Sequence, residues 1–223
     1  MLIIGAGGHA KELLGIFHEL NQKENIFCFD DVNTYTTLML LGICPILTNE
    51  EAVKQLFATD NNFALGIGKP QLRYLLAQKF LNLGGQLTSV ISPHARIGSL
   101  QVTFGDGLNI MAGAVITQNI TLGKGSLVNA NTTVHHDCHI GEYCELSPGC
   151  HLLGNVTLGD RTFVGAGAVI LPNVVIGSDV VIGAGAVVTK DIPDGITVKG
   201  VPARSEVGIT NYELRITNTP PTN

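Results

Sequence analysis

From Phe104 onward every sixth residue is large and apolar, through Ile110, Ile116 and Leu122 without a break to Ile176, Ile182 and Val188. One residue after every third of these stands a glycine: Gly105, Gly123, Gly141, Gly159 and Gly177. A six-residue period nested in an eighteen-residue one describes a coil with three flat faces, each a short strand and each corner a tight turn. That is the hexapeptide pattern of a parallel β-helix. Its coils stack at the strand spacing of about 4.8 Å. The aliphatic residue points inward, and the glycine is expected to relieve the corner. Such a helix ends in unpaired edges. The preceding residues are therefore expected to cover the first coil, and "KDIPDGITVKGVPAR" to cap the last.

Residues 1–88 follow a different pattern. "LIIGAG" reads as a strand entering a glycine turn, and "HAKELLGIFHELN" places Leu13, Leu14, Phe17 and Leu20 at helical spacing. "NIFCFDD", "CPILT" and "FALGIG" read as further strands. "NEEAVKQLFAT" is a helix capped by Asn49, and "PQLRYLLAQKFLNLG" is a helix with proline in its first turn. "LTSVI" is read as the closing strand. Strands alternating with helices imply a parallel α/β sheet. "GAGGHA" fits GxGxxA after a strand, with Asp30 about twenty residues on, which read alone suggests a dinucleotide fold. Fewer than 90 residues are too few for both mononucleotide-binding halves, so a complete NAD site is not expected. Lys69 and Arg73 carry a charge that suits phosphate, yet both are read as solvated.

Composition narrows the classes. Charged residues are 14% and hydrophobic residues 45% of the 223, which excludes a disordered chain. A formal net charge of −5 gives no footprint for nucleic acid or an anionic membrane surface. No run reaches the ~18 apolar residues of a membrane span, and no leader peptide is visible at the first residues. Five cysteines, an odd number without a secreted-type framework, point to a reducing cytoplasm.

The densest chemistry is "NANTTVHHDCHIGEYC", residues 129–144, with three of the seven histidines. It could be a metal site, a cysteine nucleophile with its base, or one catalytic histidine among structural neighbours. The repeat sorts it. Cys138, Cys144 and Cys150 fall four residues after an inward position, a slot filled elsewhere by Ala114, Ser126 and Thr132. They are expected inside as small hydrophobes, on successive faces and without a CxxC pair, which does not suit zinc. Neighbouring strand residues point to opposite sides, so His135 and His136 diverge and His139 lies beyond a corner. No metal is expected. Eighteen residues from His136 stand Gln118 and Gly154, and eighteen from Asp137 stand Asn119 and Asn155. Gly154 is expected to leave a notch over the imidazole for a thioester or an amine. A histidine beside a carboxylate in such a column fits a general base oriented by a third group.

The strings "IIGAGGHA", "FDD", "ALGIG", "HHDCHIGEY", "GNVTLGD", "GAGAVI" and "KGVPAR" together carry a family resemblance. Through them residues 1 to about 204 resemble the bacterial sialic-acid O-acetyltransferase and nucleotide-sugar N-acetyltransferase group (NeuD/PglD-like), within the hexapeptide acyltransferases. The resemblance implies a Rossmann-like nucleotide-sugar-binding half-domain at 1–88 and a left-handed β-helix acetyltransferase domain at 89–204. Residues 205–223 depart from the family and are expected to form a disordered or loosely packed extension. By the same match His136 is the base, Asp137 the carboxylate that tunes it (a relative has glutamate), and Asn129 an active-site amide. Acetyl-CoA would meet Gly154, Ala166 and Ala184 in a groove between subunits of a homotrimer. Glu145, where a relative has histidine, would also contact it. Gly5, Gly7, Gly8 and His9 would lie near the phosphates or sugar of a nucleotide-sugar substrate, Asp30 and Asp31 near its base or ribose, with Gly68 on the next loop. The implied reaction is direct acetyl transfer to the amine of a UDP-4-amino-sugar-type acceptor for surface-glycan synthesis. The alternatives are O-acetylation of sialic acid or a related sugar, and a non-catalytic nucleotide-sugar scaffold.

Overall fold

The computed structural model describes residues 1–205. Apart from Ser205, the segment expected to be a disordered extension lies outside the described residues. The α/β unit runs β1 (Leu2–Ile4), α1 (Gly8–Glu19), β2 (Phe27–Phe29), β3 (Met39–Leu40), β4 (Cys44–Leu47), α2 (Glu50–Phe57), β5 (Asn62–Leu65), α3 (Pro70–Asn82), β6 (Gln86–Leu87). Its sheet has the order β3-β4-β2-β1-β5-β6 and is parallel except for the β3–β4 pair. The strands are near-continuous apolar runs because both sheet faces are covered. Ile3 packs with Ala10, Leu13 and Phe17, while its neighbours Leu2 and Ile4 pack with Phe63 and Phe80. Asn49 caps α2, its Oδ1 accepting from Ala52 N–H at 3.0 Å. The β3–β4 hairpin was not expected. Its turn uses Leu41 and Gly42, both at positive φ, and leucine there gives no turn signal.

"LTSVI" is divided between two sheets. Thr88 still donates to Phe63 of the α/β sheet (2.8 Å), whereas Val90 donates to Leu108 of the β-helix (2.8 Å). From there the chain winds through sheets of eight, six and five strands, and through the body of the helix each strand pairs in parallel with the one eighteen residues on, as Leu127 with Glu145 and Thr133 with His151. This is the expected hexapeptide β-helix. Its interior is the aliphatic column, with Ile110, Val128, Leu146 and Val164 fully buried. Cys138, Cys144 and Cys150 are buried beside it. Burial raises all three thiols, Cys144 and Cys150 to about 12, so none is a ready thiolate.

The corners correct one reading. The residues at positive φ are Gln101, Gly107, Gly113, Asn119 and every sixth residue onward to Asp179 and Gly185. That left-handed position suits glycine, asparagine and aspartate, and it is not where the periodic glycines stand. Gly105, Gly141 and their equivalents are required by close stacking: a Cβ would lie 2.5 Å from Lys124 N at Gly105 and 2.7 Å from Asp160 N at Gly141.

The first end also differs from expectation. The α/β unit packs on the outer side of the eight-stranded face, where Val90, Met111 and Leu127 join its core. It does not close the first coil, and Ile97 there remains 38% exposed. The other end is capped as expected. Thr197–Lys199 extends the eight-stranded sheet, Arg204–Ser205 turns back antiparallel, and Val198 and Ala203 pack on the core. We expect Leu146→Ala to cost about 2–5 kcal/mol in denaturant unfolding, and His139→Ala, on the exposed side of the neighbouring face, to stay within about 0.5 kcal/mol.

Candidate active site

His136 and Asp137 occupy the corner between strands Thr133–Val134 and His139–Ile140. Asp137 holds the left-handed turn position, φ 63°. This orientation brings its Oδ2 to 2.7 Å from His136 Nδ1, while its Oδ1 accepts from Asn119 Nδ2 of the previous coil at 2.6 Å. The hydrogen bond from Asn119, then that from His136, holds the Asp137 carboxyl below its ordinary range. An ionised carboxylate only accepts, so Nδ1 is the protonated nitrogen and Nε2 keeps its lone pair. The imidazole does not stand beneath an empty notch. It lies across Gly154, whose Cβ, were there one, would be 2.5 Å from Cε1 and 2.7 Å from Nε2. Glycine thus makes room for the ring itself, and Nε2 is presented outward on a two-thirds-exposed side chain. His135 and His139 share neither contact. Among the described residues, no three His, Cys, Asp or Glu side chains gather as a metal site.

The other residues singled out by the sequence fall in two further places. Asn129, Ala166 and Ala184 lie on a different corner, between the eight- and six-stranded faces. Asn129 is turned to its own loop, its Oδ1 accepting from Ala130 N–H at 2.8 Å. Ala166 and Ala184 are exposed and stacked, with Gly185 N–H donating to Ala166 O at 2.8 Å. One chain therefore does not unite Asn129, Ala166 and Ala184 with His136 and Gly154.

The third place is the α/β unit. A cleft of about 440 Å³ opens at the carboxyl ends of β1, β2 and β5, lined by Gly5, Asp30, Asp31, Asn33, Ile67 and Lys69. A parallel sheet places its ligand crevice there. Gly7 and Gly8, at the start of α1, face open space. Asp30 is nearly buried and saturated by its own loop. It accepts from Val32 and Asn33 N–H (both 3.0 Å), Asn33 Nδ2 (2.9 Å) and Tyr35 OH (2.6 Å). Burial alone would raise this carboxyl, but those donors bring it below its ordinary value. Asp31 pairs with Lys79 at 3.3 Å. His9 turns away toward the β-helix, its Nε2 3.4 Å from Asn109 Oδ1 and its Nδ1 3.1 Å from Glu12.

Arg73 overturns its reading as a solvated residue. It is fully buried in the seam between the two units. Its guanidinium donates to the carbonyls of Gly125 (2.8 Å), Leu65 (3.2 Å) and Ile67 (2.6 Å) and to Asn109 Oδ1 (2.9 Å). Burial lowers its pKa to about 10, opposed by the charge of Glu145. Helical spacing gave no sign of this, because the partners are backbone carbonyls at the end of β5, in the loop after it and in a β-helix corner. Glu145 itself, on the eight-stranded face, is tucked against Gly68.

Comparison with known proteins agrees with this architecture. Residues 1–80 match the PglD N-terminal domain family, and residues 119–154, 137–172 and 155–190 match the bacterial transferase hexapeptide family. A variant of perosamine N-acetyltransferase from Caulobacter crescentus, in complex with CoA and GDP-perosamine, is 34% identical over 92% of this chain and 95% of its own, with a TM-score of 0.85. The acetyltransferase domain of PglB from Neisseria gonorrhoeae, in complex with acetyl coenzyme A, is 33% identical over 92% and 98%, with a TM-score of 0.84. WeeI from Acinetobacter baumannii is 31% identical over 92% and 98%, also with a TM-score of 0.84. Fold and site together define a left-handed β-helix acyltransferase. More narrowly, the chain belongs to the PglD-like hexapeptide family of sugar acetyltransferases.

The contact beneath the imidazole is directly testable. Gly154 lacks the positive φ that would forbid a side chain, so Gly154→Ala should fold, its methyl pushing the ring out of place. Thermal unfolding should change little, while acetyl-transfer turnover falls at least tenfold.

Proposed function

We propose that this enzyme transfers an acetyl group from acetyl-CoA to the amino group of a nucleotide-linked sugar, with His136 as general base. The observation that carries the reading is the Asn119–Asp137–His136 chain of hydrogen bonds, which fixes the ring tautomer and leaves Nε2 free at the surface. The amine nitrogen attacks the thioester carbonyl and its proton passes to Nε2. The tetrahedral intermediate then collapses, the C–S bond breaks, and the imidazolium returns the proton to the leaving thiolate. No acyl-enzyme is required, and the buried cysteines take no part.

The acceptor reading draws support from the cleft at the sheet's carboxyl ends and from the CoA and GDP-perosamine complex of the Caulobacter enzyme. In this reading Gly5, Gly7 and Gly8 flank the phosphates or sugar, and His9, turned toward Asn109, does not. Because Asp30 is saturated by its own loop, Asp31 and Lys69 are the freer polar groups for the nucleotide. The acetyl donor lies along Gly154 of one chain and Ala166 and Ala184 of the next. The separation of these residues on two corners supports a site shared between chains, and an assembly of three with the sites at their boundaries would supply it.

The decisive experiment measures CoA release with UDP-, GDP- and dTDP-linked amino sugars and with free sialic acid. Turnover is expected with a nucleotide-linked amine, and turnover confined to sialic acid would make the enzyme an O-acetyltransferase instead. His136→Ala should lower turnover about 10²–10⁴-fold with an unchanged oligomeric mass. Near-normal rates in that variant would remove His136 from the chemistry. Asp137→Asn, which tolerates the same left-handed φ, should cost at least tenfold through loss of the ionised partner.

A further inference from the structure

The seam between the two units contains a carboxylate that the mechanism above leaves unused. Glu145 projects from the eight-stranded face, in register between Leu127 and Phe163. Its Oε1 accepts from Ser147 Oγ at 3.1 Å. Oε2 has no hydrogen-bond donor among the described residues, and it lies 3.1 Å from the point where a Cβ on Gly68 would stand. A Cβ at Gly68 would crowd this carboxylate, and glycine lets the loop lie close over it. The nearest cation, Arg73, directs its fork to three carbonyls and to Asn109 and forms no ion pair with Glu145. His9, from the first turn of α1, lies close enough to act on Glu145 through its charge.

A half-buried carboxylate with one free oxygen is costly to hold unless a donor completes it. Here the protein directs that oxygen at the loop linking the sugar-nucleotide cleft to the β-helix, since Gly68 lies between Ile67 and Lys69 of the cleft lining. Burial, opposed by Ser147, Arg73 and His9, lifts the carboxyl above its ordinary value, and a hydrogen-bond donor arriving at Oε2 would offset part of that burial. A sugar amine has more than one N–H to donate and can bond to this oxygen while keeping its lone pair for attack, whereas a hydroxyl has a single O–H.

We infer that Glu145 is the specificity-determining residue for the acceptor, its Oε2 receiving a hydrogen bond from the substrate's amino group. This rests on the sugar-acceptor reading and names the residue that selects amine over hydroxyl. It differs from the family match, which would give Glu145 to the acetyl donor.

The test compares wild type with Glu145→Gln, which keeps the shape and the Ser147 contact. Both are given GDP-perosamine and the counterpart nucleotide sugar with a hydroxyl in place of the amino group. Calorimetric binding and kcat/KM are measured for each ligand. Wild type should favour the amine, and Glu145→Gln should lose that preference about 10- to 100-fold, with an unchanged KM for acetyl-CoA. A preference kept within twofold in the variant would overturn the inference, as would a rise confined to the KM for acetyl-CoA. Amine-selective binding by wild type without turnover would refute the reaction and uphold the recognition site. Failure of wild type to prefer the amine would refute the recognition site even if acetyl transfer is found.

Discussion

The register of coil on coil is the constraint on which everything else depends. Each strand hydrogen-bonds to the one eighteen residues away, so every side chain stands directly over another of the same phase. At the corners this leaves two demands. One column must be glycine because the backbone of the next coil arrives within van der Waals distance. A second column must take the left-handed φ, and asparagine recurs there at 119, 155 and 173. Stacked asparagines can bond to one another, as Asn155 Nδ2 does to Asn173 Oδ1 at 2.9 Å. Asp137 is one member of this structural ladder in which the amide is replaced by a carboxylate. The exchange leaves the turn intact, keeps the bond from Asn119, and gives the neighbouring imidazole a fixed anionic partner. The candidate base is thus oriented by the same bonds that stack the coils, and no separate loop has to be ordered to build it.

The β-helix was legible because from Phe104 to Val188 its inward period is strict and uninterrupted, so stacking followed from arithmetic. The same arithmetic placed Cys138, Cys144 and Cys150 inside and His135 and His139 apart. It also named Gly154 as the neighbour of His136, although it could not say that the ring itself would fill the space. What failed was whatever depends on contacts between distant segments. Arg73 lies on a helix with no charged partner at helical spacing, and its acceptors are the carbonyls of Leu65, Ile67 and Gly125. The split of "LTSVI" between two sheets, and the packing of the α/β unit on a face instead of an end, are tertiary choices that no periodicity records.

The seam repays attention because its chemistry is unusual. A fully buried guanidinium satisfied by neutral acceptors bears a desolvation cost that an apolar residue would avoid. The geometry of its fork supplies something an apolar residue could not. One planar group ties the end of β5 and the loop after it to the β-helix through directed bonds. Those same residues carry the chain into Gly68 and Lys69, on the cleft side of the seam. The position of the cleft relative to the coils is therefore set by hydrogen bonds of definite length, and Glu145 is held at a fixed height beneath the loop.

The three-sided cross-section then bears on how a complete site is assembled. His136, Asp137 and Gly154 share one corner, while Asn129, Ala166 and Ala184 share another. A straight prism cannot fold one corner onto another within a chain, and the backbone bonds of each coil leave no hinge. If both corners serve one reaction, the second corner must come from another copy. Joining unlike corners is a head-to-tail contact, which forms an open filament unless the rotation between copies closes. A turn of one third about an axis parallel to the coils closes it, with each chain giving its histidine corner to one neighbour and its alanine corner to the other. The α/β unit, set on a face, then stands beside a shared corner where a cleft-bound acceptor and a groove-bound donor can meet.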